Sequence, residues 1–332
     1  MISLIKLLKN GSKAALMAAV VNLVIAFLKA GAFFITGNVA MYAEMMHSLG
    51  DAANQLFVYT GSALSKKAPT PKFPNGFGRI VNLVCLGAVL IVAILSYETI
   101  VGGLRHILHP EESTGLLINL GVLGLGIVLE SFVLYKASKE VMHDAGVEHT
   151  GLSSLPKSFA YLKRAKPPTK LVFMEDLVAT SGGVIAFAAV LLAHFFGWFA
   201  AEGVASVMIG LMMFYVVGTV FLENARGAIG ETDEEMLAHI SHLVAEDPDI
   251  VDIQRVEVVK EGECLHVEIV AEVATSNTVE YVLGVKDRLM SVILSQKGIQ
   301  DVIISLVGDD GIQSWNDTNS SQTFENRRKL PE

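Results

Sequence analysis

Apolar residues in this chain gather into six long stretches, at 14–36, 40–64, 80–104, 115–139, 171–194 and 199–222. A hydrocarbon layer about 30 Å thick is crossed by a helix of about 20 mostly apolar residues, so each stretch predicts a membrane span. The first is long and has no small-residue cleavage pattern before the second, so it is expected to remain as a span. Past residue 230 the pattern becomes that of a water-soluble fold. Residues 233–246 (DEEMLAHISHLVAE) place apolar side chains at helical spacing, 253–260 (IQRVEVVK) and 264–273 (CLHVEIVAEV) alternate as strands do, 278–296 is helical, and 301–307 (DVIISLV) is a short strand. The order αββαβ predicts a small sheet with two helices on one face, a ferredoxin-like α+β layer pair. From Asp309 the chain is rich in Asn, Ser, Asp and Thr without periodicity, which reads as a disordered tail. The expected architecture is an α-helical membrane protein: a six-helix transmembrane domain over 1–229, a ferredoxin-like domain over 230–309, and a tail over 310–332.

Composition agrees with the pattern. Of 332 residues 52% are hydrophobic and 18% charged, against about 25% charged in soluble domains. The net charge of −9 is uneven: residues 1–229 carry 17 Lys and Arg against 13 Asp and Glu, and residues 230–332 carry 8 against 21. A strongly acidic soluble end argues against nucleic acid as a partner; it reads first as a solvated acidic surface and is compatible with attracting cations at the cytoplasmic mouth. Lys6, Lys9 and Lys13 precede the first stretch. Lys66, Lys67, Lys72 and Arg79 follow the second, and Lys157, Lys163, Arg164, Lys166 and Lys170 lie between the fourth and fifth. The opposite loops hold little but Arg105, so both termini are expected on the cytoplasmic side of a cell (inner) membrane. Cys85 and Cys264 are too few and too far apart for a disulfide framework or a thiolate metal site.

Ionisable residues inside a bilayer cost roughly 2.5–3.5 kcal/mol each on insertion scales, so each one needs a reason. The second stretch contains HSLGDAANQ, where His47 and Asp51 stand four residues apart on one helix face and Asn54 follows on that face. The fifth begins VFMEDLVATSGG, with Glu175 and Asp176 adjacent. If these helices pack together, one imidazole and two carboxylates meet at membrane depth, a donor set suited to Zn, Mn, Fe or Co rather than to Cu(I). The plainer readings are a helix-packing ion pair for His47 and Asp51 and an interfacial cap for Asp176. Glu175 and Asp176 point about 100° apart, so both cannot face one site squarely. Lys29, Glu98 and Glu130 read as isolated charges that pack or snorkel, and Glu202 as a charge at a helix N-terminus. His143 and His149 in the 140–170 loop, His106 and His109 near an outer loop, and His239 and His242 read as solvated, with His194 at the membrane interface.

These residues carry a resemblance along nearly the whole chain. TGNVAMYAEMMHSLGD, FPNGFGR, ETIVGGLRHILHP and GVASVMIGLMMFYVVG, followed by an αββαβ domain, are similar to the cation diffusion facilitators. The resemblance implies a homodimeric six-span exporter of zinc or another divalent metal, driven by proton exchange. It also implies a tetrahedral site of His/Asp-x-x-x-Asp from each of the second and fifth spans. His47 and Asp51 match the first pair, and Asp176 matches the second ligand of the other. The first ligand position of that pair is Val172, and PPTKLVFMEDLVAT resembles a divergent subgroup that includes an animal mitochondrial zinc transporter. In the cytoplasmic domain the family's metal-binding histidines stand as Val270 and Ser305, which leaves that domain a dimerising role. Three protein ligands leave one exchangeable position, metal binding expels protons, and a histidine is the natural group to couple the two, which points to His47. The expected molecule is therefore a divalent-cation transporter with protons as counter-ion, metal as cargo and no cofactor. The rivals are a non-transporting membrane sensor or scaffold, left inactive by Val172, and a membrane metalloenzyme. For the enzyme, no nucleophile or base stands beside the metal ligands.

Overall fold

The computed structural model describes residues 11–74, 76–147, 154–162, 167–262 and 264–315. Lys6, Lys9, His149, Lys163, Arg164, Lys166 and the tail from 316 lie outside the described residues. In chain order the elements are α1 (Lys13–Thr36), α2 (Val39–Ser65), α3 (Ile80–Leu108), α4 (Leu116–Asp144), α5 (Ser154–Tyr161), α6 (Pro167–Phe196), α7 (Ala200–Ile229), α8 (Glu234–Ala245), β1 (Asp252–Glu261), β2 (Cys264–Val273), α9 (Val279–Leu294) and β3 (Ile299–Gly308). Two compact units result, one running to Ala63 and resuming over Leu83–Ala225, the other made of Leu64–Asn82 and the chain from Arg226.

The first unit is helical, and its first turn shows how the sequence sets helix ends. Ser12 Oγ accepts the Ala15 N–H at 3.3 Å and opens α1. Gly37 closes it with φ 69°, a left-handed conformation that glycine adopts without strain, and its N–H returns to the Phe33 carbonyl at 2.8 Å. Asn38 Oδ1 then accepts the Met41 N–H at 2.8 Å and starts α2. The helices meet through small residues: Ala32, Ala40, Ala43, Ala186, Ala189, Ala201 and Ala205 pack around Met41, Leu123, Ile209 and Met213. Between α3 and α7 a Cβ on Gly103 would lie 2.7 Å from the Gly203 carbonyl oxygen, and Ser206 Oγ donates to the Thr99 carbonyl at 2.9 Å. Close backbone approach through small residues and interhelical hydroxyl bonds is how helices associate in lipid.

Five of the described helices, α1, α3, α4, α6 (over Val172–Phe196) and α7, are long and apolar enough to cross a membrane. The helix α2 has a comparable 27 residues but is not among them, because Glu44, His47, Asp51, Asn54 and Gln55 lower its hydropathy. The loop expected over 140–170 is partly helical. The helix α4 continues to Asp144, and α5 lays Leu155 against Leu134, Ala137, Val141 and Phe173 of α4 and α6.

In the second unit α8, β1, β2, α9 and β3 follow the αββαβ order. The sheet order is β1-β2-β3, with β1 antiparallel and β3 parallel to the central β2. Alternation along the strands buries Val256 and Val258, Val267 and Ile269, and Val302 and Ile304 against Leu237, Ile240 and Val244 of α8 and Val285, Leu289 and Ile293 of α9. Asp233 and Thr278 cap α8 and α9 by accepting the Met236 and Tyr281 N–H groups. Arg79, from the α2–α3 connection, lies 3.2 Å from Glu261 and donates to the Ile229 carbonyl at 3.3 Å. On the surface, Asp249 is held below the ordinary carboxylate range by the Tyr281 hydroxyl and by Arg288, each at 2.6 Å. The tail read as disordered from Asp309 begins in order instead. The Asp309 N–H donates to the Val273 carbonyl at 3.0 Å, and Trp315 packs on the sheet core.

Candidate metal site

Helical spacing brings His47 and Asp51 onto one face of α2, with Nε2 and Oδ2 3.6 Å apart, longer than a hydrogen bond. The His47 side chain is 6% exposed and the Asp51 side chain 37%, so the imidazole is enclosed and the carboxylate faces an opening. His47 Nε2 is buried with no hydrogen-bond partner among the described residues. That opening is a cleft of about 290 Å³, counting space open to solvent, where α2, α3, α6 and α7 meet. Gly50, Asp51, Asn54 and Glu175 supply its α2 and α6 sides, and Val89, Val92, Val216, Val217 and Val220 its apolar walls.

The two acids of α6 divide as helix geometry requires. Glu175 lines the cleft with Asp51 and lies within electrostatic reach of Asp51 and Asp176. Asp176 lies within electrostatic reach of Asp51 first, then of Glu130 and Glu140 of α4 and of His47, and its Oδ2 is buried without a hydrogen-bond partner among the described residues. One turn on, Thr180 Oγ1 is also buried and without a partner among the described residues. Val172, one turn before Asp176, is 43% exposed. His47, Asp51 and Asp176 thus share one polar region, although their ligand atoms do not converge within 4.8 Å of one another. Buried polar atoms without partners are rare in folded proteins. Here an imidazole nitrogen and a carboxylate oxygen stand open in one region, the hard-to-borderline N/O donor set of a divalent transition metal.

Sequence reading passed over Glu44, and with it the meaning of Lys29 and Glu130. These are not isolated charges: Lys29 Nζ of α1 lies 2.6 Å from Glu44 Oε2 of α2 and 3.0 Å from Glu130 Oε1 of α4. Glu98 does remain exposed on α3. His106 is likewise not solvated but buried, with Nε2 3.2 Å from the Phe199 carbonyl and 4.0 Å from Glu202. Glu202 sits in the first turn of α7 and accepts the Ser113 hydroxyl at 2.6 Å. His109, His143, His194, His239 and His242 are exposed. In the second unit Val270 and Ser305 are register partners on β2 and β3, and His266, unremarked in the sequence, faces Asp301 at 3.2 Å. Among the described residues, the group of acids whose oxygens gather within 4.8 Å is Glu272, Asp309 and Asp310. Glu272 there is already hydrogen-bonded by Gln254 and the Asp310 N–H.

A bundle of apolar helices that encloses unpartnered imidazole and carboxylate donors is the arrangement of a membrane protein that handles cations. The family model described as the cation efflux transmembrane domain matches residues 15–227, and the chain belongs to that family. It is 26% identical over 255 residues to the "Proton-coupled zinc antiporter SLC30A9, mitochondrial" of Homo sapiens, covering 75% of this chain and 43% of that protein. To the protein of the same name from Xenopus laevis it is 27% identical over 262 residues, covering 77% and 45%. To "Metal tolerance protein C4" of Arabidopsis thaliana it is 24% identical over 237 residues, covering 68% and 49%. The chain spans about half the length of the curated relatives it matches.

Proposed function

We propose that this chain carries a divalent transition-metal cation, zinc foremost, across a membrane in exchange for protons. The observation that supports it best is the His47–Asp51 pair on α2, enclosed in an apolar bundle with an unpartnered imidazole nitrogen and with Asp176 facing the same region from α6. Intramembrane ionisable groups are functional by default. In this reading α2 is the sixth span, its polar face turned inward on the cargo. His47, Asp51 and Asp176 supply three ligands, Glu175 and Asn54 line the approach, and water or the open position at Val172 leaves the ion exchangeable. The helices rock so that the site opens to one side and then the other, and because a metal is held only by deprotonated ligands, binding at His47 is linked to proton release. The second unit is read as a ferredoxin-like module through which two copies pair, and two-fold pairing is the commonest soluble assembly. The lysine-rich loops favour a reading in which both termini lie on the cytoplasmic side of the membrane, with export away from that side. The relatives' printed names, a proton-coupled zinc antiporter and a metal tolerance protein, point the same way.

Metal flux in proteoliposomes tests the proposal. With a proton gradient imposed, wild-type protein is expected to move zinc in the direction opposite to the flow of protons. A correctly folded protein that binds metal without moving it would turn the reading to a sensor or scaffold, and turnover of a substrate at the bound metal would turn it to an enzyme.

A further inference from the structure

The cluster of Lys29, Glu44 and Glu130 sets one ammonium against two carboxylates and so lacks one positive charge. Side-chain exposures are 2% for Lys29, 1% for Glu44 and 13% for Glu130. Each acid spends one oxygen on Lys29, and the other, Glu44 Oε1 and Glu130 Oε2, is buried with no hydrogen-bond partner among the described residues. The helix α6 passes these oxygens with glycines. A Cβ on Gly182 would lie 2.7 Å from Glu44 Oε1, and one on Gly183 would lie 3.4 Å from Glu130 Oε2. No α6 side chain at those two positions offers either oxygen a donor. An uncompensated carboxylate in a low-dielectric interior is costly, and a proton is the smallest ligand that relieves it.

We propose that Glu130 is a proton-binding site of the helical unit, distinct from the metal ligands, whose proton leaves when a divalent cation binds at His47, Asp51 and Asp176. This rests on the transport reading above. Glu130 is favoured over Glu44 because its pair with Lys29 is longer, 3.0 against 2.6 Å, and because it is the more exposed. The groups that face Glu130 are Lys29 from α1, Glu44 and His47 from α2, and Asp176 from α6. Two of these are proposed metal ligands, so a dication held there acts on Glu130 through the same interior. The O–H bond of the carboxylic acid breaks, the electron pair stays on the carboxylate, and the proton is taken up by bulk water. By linkage, a proton on Glu130 weakens metal binding by the same factor as metal weakens proton binding.

The test uses the full-length protein in lipid, with zinc ion as the probe and Glu130→Gln as the variant. Protons released per zinc are counted with a pH indicator, and infrared difference spectra follow the C=O band of protonated carboxyl groups. Wild type is expected to lose such a band on zinc addition. Glu130→Gln is expected to lack that change, to release about one proton fewer per zinc, and so to vary its zinc affinity about tenfold less per pH unit while still binding zinc. The same band loss and proton count in wild type and Glu130→Gln would overturn the proposal. Should Glu130→Gln fail to fold, Glu130→Asp keeps the carboxyl and must shift the band in frequency, and an unshifted band overturns it equally. If wild type binds no zinc, the transport reading falls by itself. A pH titration without metal then still shows whether the titrating band belongs to residue 130.

Discussion

The two units apply one burial rule in opposite solvents. The helical unit turns Phe34, Leu117 and Phe27 outward at 79%, 83% and 67% exposure and keeps Lys29, Glu44, His47 and Glu202 inside at 5% or less. The second unit buries Ile240, Val258, Val267, Ile269 and Ile293 completely and leaves its ion pairs, such as Arg255 with Glu268 and Arg288 with Asp249, at the surface. Apolar surface goes where it meets apolar surroundings, and in lipid that is the outside. The interior of the helical unit is thereby free to be polar, and that is where chemistry with cations becomes possible. In the second unit a charged residue is a solubility device, and in the first it is either structural glue or function.

The sharpest way to break this contrast is to remove a proposed ligand. Asp51→Asn keeps the side chain's shape and deletes its charge. Zinc flux into proteoliposomes is expected to fall by more than about 100-fold, beyond the 10–100-fold that losing an outer partner of a metal ligand brings. Flux at the wild-type rate would remove Asp51 from the site. Glu175→Gln is expected to lower flux less, as a group that lines the cleft.

Next in size is the same deletion made in both regions. Lys29→Met strands two buried carboxylates, for which a loss of about 3–5 kcal/mol is expected. Arg255→Met breaks a pair whose side chains are each 35% exposed, and less than about 1 kcal/mol should follow. Thermal unfolding in detergent compares them, and Lys29→Met/Glu44→Gln should recover part of the first loss. Equal effects would mean that the Lys29 cluster is as well hydrated as the surface pair.

A smaller effect is expected at the end of the second unit. A fragment of residues 230–315 should be more stable in urea than one of 230–309 by about 1–3 kcal/mol, because only the longer one keeps the Trp315 contact with the core. The smallest is Asp249→Asn in the longer fragment. The depressed folded-state pKa of Asp249 adds stability above its ordinary value of 3.8, and this is lost as pH falls through the lower folded value. Wild type should therefore exceed Asp249→Asn at pH 6, with the gap closing in strong acid. A gap that persists there would point to the hydrogen bond rather than the charge.

Most of this layout is written in local pattern. Apolar runs locate the long helices, strict alternation locates β1 and β2, and the i, i+4 spacing of His47 and Asp51 places both on one face before any tertiary structure is known. What escaped depends on residues far apart in the chain. Lys29 and Glu130 look solitary because their partnership spans 101 residues, and Glu44, three residues before His47, was overshadowed by the more familiar pair. An acid at that depth of an apolar run was itself a signal. His106 follows an exposed Arg105 and reads as surface until the Phe199 carbonyl is brought to it. Trp315 stands in a polar, aperiodic stretch, where one aromatic gives no pattern to detect.

The Lys29 cluster also sets a timetable for biogenesis. Glu44 follows Lys29 by 15 residues and can neutralise it as soon as α1 and α2 form a hairpin. Glu130 follows Lys29 by 101 residues, which at 5–20 residues per second of synthesis is a delay of about 5–20 s. During that interval the Lys29–Glu44 pair is electrically balanced, with one ammonium and one carboxylate. Arrival of α4 adds the second carboxylate and turns a neutral pair into a cluster with surplus negative charge. The helical unit therefore acquires its appetite for cations late in its own assembly, after the segment that bears His47 and Asp51 is already in place.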